Sequence, residues 1–113
     1  MNLDDARTVL EWMGYEIDKH WMTQEVWQKG NESVNVSHHL AEDLDANWLM
    51  RALVPALKTK FPQKWGINVF YGWDDAVSVY FFGVGVETLK GTGSTFEAAM
   101  ISAAAKAVRS AER

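Results

Sequence analysis

The sequence predicts a single α+β domain spanning residues 1–113, in which a small antiparallel sheet of two to four strands is sandwiched between helices in the order α-(β)-α-β-β-α. Three observations predict it. Segments with the 3.6-residue period of amphipathic helices stand at the start, middle and end of the chain. Two alternating segments joined by a turn signal lie between the last two helices. A chain of 113 residues buries about two-thirds of its unfolded surface without disulfides or metals.

The first helix is predicted to begin after Asn2, a favoured N-cap residue, and to end at Gly14 in the C′ position. Its inner face carries Leu3, Ala6, Leu10 and Met13. Residues 15–43 then lose helical periodicity. Within them, residues 15–17 and 21–27 are interpreted as short extended pieces, and Ser33–Ser37 alternates as a short edge strand does. Long irregular segments are uncommon in compact domains and are often functional.

The second helix is predicted from about Asp43 to Lys60, with an apolar stripe that includes Trp48 and Leu49. Pro55 interrupts it, because a proline cannot donate to the carbonyl of residue 51. We therefore expect a kink at Pro55 or two abutting segments.

Two strands are predicted over residues 65–71 and 77–82, joined by the hairpin turn Gly72-Trp-Asp-Asp with Trp73 at its tip. Both strands carry apolar residues on both faces. Strands of that kind belong to sheets covered on both sides, so we expect helices on each face.

The last helix is predicted to be rich in alanine and to lie very close to the sheet. Ser94 and Glu97 have the spacing of a capping box, and Gly91–Gly93 is expected to be a flexible loop leading into the helix. The inner face predicted from the helical period is Phe96, Met100, Ala103, Ala104, Ala107, Val108 and Ala111.

Composition excludes several classes of function. The chain has no cysteine, which rules out disulfides, thiolate metal sites and a cysteine nucleophile. The net charge is −4 and the basic residues are not clustered, so no footprint for duplex nucleic acid is present. The acidic start lacks the basic region of a signal peptide, so none is predicted. No apolar run is long enough to span a bilayer, so no membrane span is predicted. We expect a cytoplasmic protein.

Short motifs along most of the chain resemble one known family. They are Met13-Gly-Tyr15, Trp21, Asp43 followed by Trp48, Trp65, and the Thr95-Phe-Glu-Ala-Ala start of the last helix with Ala103-Ala-Ala-Lys-Ala107. This order resembles the phage ABA-sandwich domain family of small phage accessory proteins, which includes NinX-like proteins. The Ser/Thr-Asp step of that family is absent, since the chain reads Glu42-Asp43-Leu44. The resemblance implies a phage accessory protein in a bacterial host and carries over no catalytic residue.

Four candidate chemical sites have a simpler structural interpretation, which we favour. His38 and His39 with Glu42 and Asp43 would offer metal ligands, but no further ligand pattern accompanies them. A hydrolase would need His20, His38 or His39 to meet a carboxylate and a serine such as Ser33 or Ser37. Gly91–Thr95 would hold a phosphate but lacks the P-loop lysine, and Asp74-Asp75 is explained by turn chemistry. No cofactor or metal is predicted.

Aromatic residues are the remaining candidates, because six tryptophans are more than so short a chain needs. Tryptophan combines a large apolar face with one donor and is enriched in binding surfaces. The candidate binding residues are Trp21, Trp27, Tyr71, Trp73, Tyr80 and Arg109, with Phe82 and Arg51 beside them.

The function predicted from the sequence is that of a non-enzymatic phage accessory protein that acts by binding, through an aromatic surface, and that self-associates. Its partner would be a host or phage protein, for instance one of a host defence. The alternative is a module that sequesters a nucleotide-like small molecule in an aromatic pocket, with Arg51 or Arg109 on its phosphates. A hydrolase is the third possibility.

Overall fold

The computed structural model describes residues 2–21, 24–37, 44–61, 66–74, 76–82 and 88–111. Over these residues the element order is α-βββ-α-βββ-α. The elements are α1 (Leu3–Met13), β1 (Glu16–Trp21), β2 (Gln24–Lys29), β3 (Glu32–Ser37), α2 (Ala46–Trp48, Leu49–Leu53 and Val54–Lys60 in succession), β4 (Gly66–Tyr71), β5 (Val77–Phe82), β6 (Leu89–Gly93) and α3 (Phe96–Ala111).

The α+β class is confirmed, but the prediction of one sheet of two to four strands is wrong. The described strands form two three-stranded antiparallel sheets, an N-terminal sheet in the order β1-β2-β3 and a C-terminal sheet in the order β4-β5-β6. The sequence predicts β3, β4 and β5 as strands and indicates only short extended pieces near β1 and β2.

The sequence indicates β1 and β2 only as the short extended pieces 15–17 and 21–27, because a charged residue occupies an inward position. In β2, Glu25 and Trp27 are both buried, and their β3 partners Val36 and Val34 are buried as well. Glu25 therefore stands where an alternating pattern would require an apolar residue. A bulge in β1 between Ile17 and Lys19 breaks the pattern a second time.

The strand β6 was missed because its glycines were interpreted as a flexible loop. Gly91 and Gly93 lie in β6, where they pair with Val79 and Val77 of β5. A Cβ atom placed on Gly91 would lie 2.2 Å from the backbone nitrogen of Ala103 and 2.2 Å from the carbonyl oxygen of Ala99. These glycines are packing positions: they let α3 rest on the strand backbone. The close approach of the last helix to a sheet is thus confirmed.

The helix α3 is buried on almost every side. Alanines at 98, 99, 103, 104, 105 and 107 are buried together with Met100, Ile101 and Val108. In addition to the sheet, α1 packs against α3, which adds to the burial of the helix. Ala111, predicted to be inward, is exposed.

The helix ends follow capping chemistry, with one correction. The side chain of Asn2 accepts a hydrogen bond from the backbone N–H of Asp4 at 2.9 Å, and Gly14 has φ 96°, as predicted for α1. At the start of α3 it is Thr95, not Ser94, whose hydroxyl accepts from the N–H of Ala98 at 3.1 Å. The predicted capping box is therefore wrong by one residue.

The helix α2 is interrupted ahead of Pro55, as expected. Residues Leu49–Leu53 are π-helical, and the N–H of Val54 donates to the carbonyl of Leu49. In a regular helix the ring of Pro55 would collide with the carbonyl group of residue 51. The wider π-helical turn lies at this position. Leu49, Leu53 and Leu57 reach the core.

The prediction that helices cover both faces of the hairpin sheet is wrong. The helix α3 lies on β5 and β6, on the face that carries Val77, Val79 and Phe81. On the opposite face Tyr80 is half-buried and Phe82 is exposed. On β4, Val69 is half-buried against the core, whereas Ile67 and Tyr71 are exposed. Among the described residues, no helix has the length and apolarity needed to cross a membrane.

Replacing Gly91 with alanine is expected to destabilise the fold by about 3 kcal/mol or more, because the new Cβ would collide with helix backbone that cannot rotate away. Denaturant unfolding followed by circular dichroism measures the change. Gly66→Ala is the matched control, since a Cβ there meets no atom within 4 Å. Equal stability losses in the two variants would contradict the close packing of α3 on β6.

Candidate functional site

The strand β4 is the least covered element of the C-terminal sheet. Its residues on the α3 side are Ile67, Val69 and Tyr71, and on the other side Asn68 and Phe70. Tyr71 is 69% exposed and Phe70 is 59% exposed, so large apolar side chains face solvent on both sides of one strand. Monomeric proteins seldom leave such a strand at a sheet edge.

The hairpin that follows β4 holds Trp73 entirely in solvent, with a relative exposure of 104%. The turn is closed by a hydrogen bond from the N–H of Gly72 to the carbonyl of Ala76 at 2.9 Å. A carboxylate oxygen of Asp74 accepts from the N–H of Ala76 at 3.3 Å, so this acid shapes the turn. The other member of the suggested carboxylate pair, Asp75, lies outside the described residues.

We call this set, Ile67, Val69, Phe70, Tyr71 and Trp73, the β4 edge surface. Tyr71 and Trp73 were among the candidate residues, whereas Ile67 and Phe70 were missed. A signal for them was present in the sequence: Gly66–Tyr71 contains no charged residue. Natural edge strands usually carry charges that discourage pairing.

The uncovered face of β5 and β6 carries a second group of candidates. The rings of Tyr80 and Phe82 are nearly parallel, with centroids 6.2 Å apart and an interplanar angle of 18°. The ammonium group of Lys90 lies 5.7 Å from the centroid of the Tyr80 ring. These groups form an open shelf of two rings and one cation.

Trp27, a candidate binding residue, is instead part of the core. It is 3% exposed, and its indole N–H donates to a carboxylate oxygen of Glu25 at 3.2 Å. The guanidinium of Arg7 contacts both carboxylate oxygens of Glu25. The pair raises the pKa of Arg7, mainly through the hydrogen bond to Glu25. Hydrogen bonds from Arg7 and Trp27 thus offset the free-energy cost of burying the Glu25 carboxylate.

The two arginines considered for phosphate contacts are both engaged in ion pairs. Arg109 pairs with Asp5 of α1 at 2.8 Å. Arg51 contacts Glu32 at 2.7 Å. The hydrogen bond from Arg51 holds the pKa of Glu32 below its usual value and raises that of Arg51.

Several other candidates lie outside what the structure describes. The backbones of His20 and Trp21 belong to β1, but their side chains are not described, and His38, His39, Glu42 and Asp43 fall in an undescribed range. In the described part of the chain, no group of three or more histidines and acids is placed to hold a metal ion.

Neither of the two clefts formed by the described residues is lined by Trp27, Tyr71, Trp73 or Tyr80. Two clefts are formed by other residues: a polar one of about 210 Å³ between β3 and α2, lined by Glu32, Asp45 and Arg51 among others, and a wide groove of about 540 Å³ between Trp12 and Lys60. The indole nitrogen of Trp48, beside the polar cleft, is buried and has no hydrogen-bond acceptor among the described residues. The predicted site is therefore an exposed strand edge with a shelf beside it.

No protein-family model, no curated protein and no solved structure matches the chain.

Replacing Arg7 with methionine is expected to lower the midpoint of thermal unfolding by more than about 5 °C, because a buried carboxylate loses its charged partner. Calorimetry at pH 7 measures the shift. Arg51→Met is the control, since it breaks an ion pair in which both side chains are exposed. The smaller loss of stability in Arg51→Met should vanish in acid. The pKa of Glu32 is lowered in the folded state, so its ion pair stabilises the fold only while the carboxylate is ionised. Equal shifts for both variants would contradict the role given to the Arg7–Glu25 pair.

Proposed function

We propose that this chain is a non-enzymatic binding protein that self-associates through the β4 edge surface. The observation that carries the proposal is the exposure of apolar side chains on both faces of β4 and at the hairpin tip, at Ile67, Phe70, Tyr71 and Trp73. An apolar surface of this extent costs free energy in water unless another molecule covers it.

The exposed rings supply enough area for a specific contact. An aromatic side chain contributes about 200 Å² when fully exposed, so Phe70, Tyr71 and Trp73 together present about 450 Å² in each copy. Burial of this area is worth about 11 kcal/mol in transfer free energy per copy, from which the costs of association are subtracted. Two copies would bury about 900 Å², close to the lower limit of specific interfaces, before aliphatic and backbone atoms are counted.

We propose in addition the biological setting that the family resemblance implies. The protein would be a phage accessory factor in the cytoplasm of a bacterial host, acting on a host or phage protein, for instance one of a host defence. Support for this setting comes from the quoted sequence motifs alone. This host or phage protein would dock on the shelf of Tyr80 and Phe82, which lies beside the β4 edge surface and is open to solvent.

A nucleotide-binding role is the second candidate, and the shelf is the observation that favours it. Parallel rings with an adjacent ammonium group suit a planar base and its phosphate. If this role is correct, nucleotides will raise the melting temperature of the protein, and Tyr80→Ala will abolish the rise. No shift with any mono- or dinucleotide would contradict it.

Replacing Trp73 with alanine is expected to weaken self-association about tenfold or more without changing the melting temperature of the monomer, because the indole contacts solvent alone within one copy. Sedimentation equilibrium over a range of concentrations measures the dissociation constant. Met50→Ala is the control, since Met50 is 59% exposed on α2, away from the sheet. A wild-type protein that stays monomeric at millimolar concentration would refute the proposed self-association.

A further inference from the structure

The outer edge of β4 differs from the other strand edges of this protein. No described strand pairs with it, since β4 ends the order β4-β5-β6. The sequence of β4, Gly-Ile-Asn-Val-Phe-Tyr, contains neither a charge nor a proline. By contrast, β1 carries Asp18, Lys19 and a bulge, β3 begins with Glu32, and β6 is short and contains Lys90. Those three edges have the features that discourage pairing, and β4 has none of them.

The backbone groups that point outward from β4 follow from the hairpin geometry. Gly72 donates to Ala76, which makes this the first hydrogen-bonded pair of the ladder. Hydrogen-bonded and non-hydrogen-bonded pairs alternate in an antiparallel ladder. With the register Phe70↔Ser78 and Asn68↔Tyr80, the even-numbered residues of β4 bond to β5. The N–H and C=O groups of Ile67, Val69 and Tyr71 therefore point away from the sheet.

From this geometry we propose that β4 pairs with β4 of a second copy, antiparallel, about a two-fold axis at Val69. Val69 of one copy then lies opposite Val69 of the other, and Ile67 lies opposite Tyr71. This register brings the outward N–H and C=O groups of all three residues into hydrogen bonds, whereas a register shifted by one residue would bond none of them. The inference rests on the proposed function and names the contact that performs it.

The pattern of β4 favours a second copy over a foreign strand. The residues whose backbone groups point outward, Ile67, Val69 and Tyr71, have largely apolar side chains on both sides of Val69. The strand is therefore complementary to itself, as a two-fold contact requires. The strand has no charge to repel its copy. The net charge of −4 on each copy acts at longer range and is screened by salt, so the dimer should tighten as salt is added.

The paired strands would form one continuous six-stranded sheet. A two-fold axis perpendicular to the sheet keeps the faces of both copies aligned, so both α3 helices lie on one side and the shelves of Tyr80 and Phe82 lie on the other. Tyr71 of each copy packs against Ile67 of the other beside the helices, which reduces the exposure of the β4 edge surface.

The test uses the absence of cysteine from the chain. In the variant Val69→Cys the two thiols would face each other in a hydrogen-bonded pair with Cα atoms about 5.5 Å apart, within the range for a disulfide. We expect at least about tenfold more covalent dimer under mild oxidation than with Tyr71→Cys. Residue 71 is more exposed, but its own copy would lie about 14 Å away. Mixed Ile67→Cys and Tyr71→Cys chains should crosslink to each other.

Each outcome has a distinct meaning. Equal crosslinking of Val69→Cys and Tyr71→Cys would overturn the register while leaving self-association in place. A monomeric wild-type protein in sedimentation would overturn both the register and the proposed function. Val69→Lys provides a check that does not depend on oxidation: it places two ammonium groups opposite each other and should give a folded monomer. A Val69→Lys dimer as tight as the wild type would also overturn the pairing.

Discussion

The contact between α3 and β6 determines how the C-terminal half of this protein is arranged. Gly91 lets the backbone of Ala99 and Ala103 approach the strand until no space for a side chain remains. The alanines of α3 also allow α1 to pack closely against it, so the helix becomes the centre of the core. Because the helix sits so close to β6, it lies mainly over β6 and β5.

The exposure of β4 is a consequence of that position. A helix is about 10 Å wide and neighbouring strands are about 4.8 Å apart, so one helix covers about two strands. The third strand of the sheet therefore keeps its apolar residues on the helix side in solvent, as Ile67 and Tyr71 show. On the second face, Phe70 and Phe82 are exposed as well. Pairing of β4 with another copy would cover part of this surface without any change in the fold.

Much of the fold could be predicted from the sequence because its signals are local. The cap at Asn2, the C′ glycine at 14 and the hairpin at Gly72 depend on neighbouring residues alone. The strand β6 and the full extent of β1 and β2 could not be predicted, since they depend on contacts made by distant residues. Glu25 is inward because Arg7 meets it, and Gly91 is in a strand because a helix packs on it. For the site, Trp73 and Tyr71 followed from the surplus of aromatic residues, but the exposure of Ile67 depends on how far α3 extends over the sheet.

Hydrogen exchange at single backbone amides tests the central claim most directly. The amides of Asn68, Phe70 and Gly72 bond within the sheet, whereas those of Ile67, Val69 and Tyr71 point outward. We expect the first three to be protected at every protein concentration. The other three should exchange rapidly in dilute protein and become protected as the concentration rises. Rapid exchange of Ile67, Val69 and Tyr71 at all concentrations would contradict the account, since β4 would then be an edge that nothing pairs with.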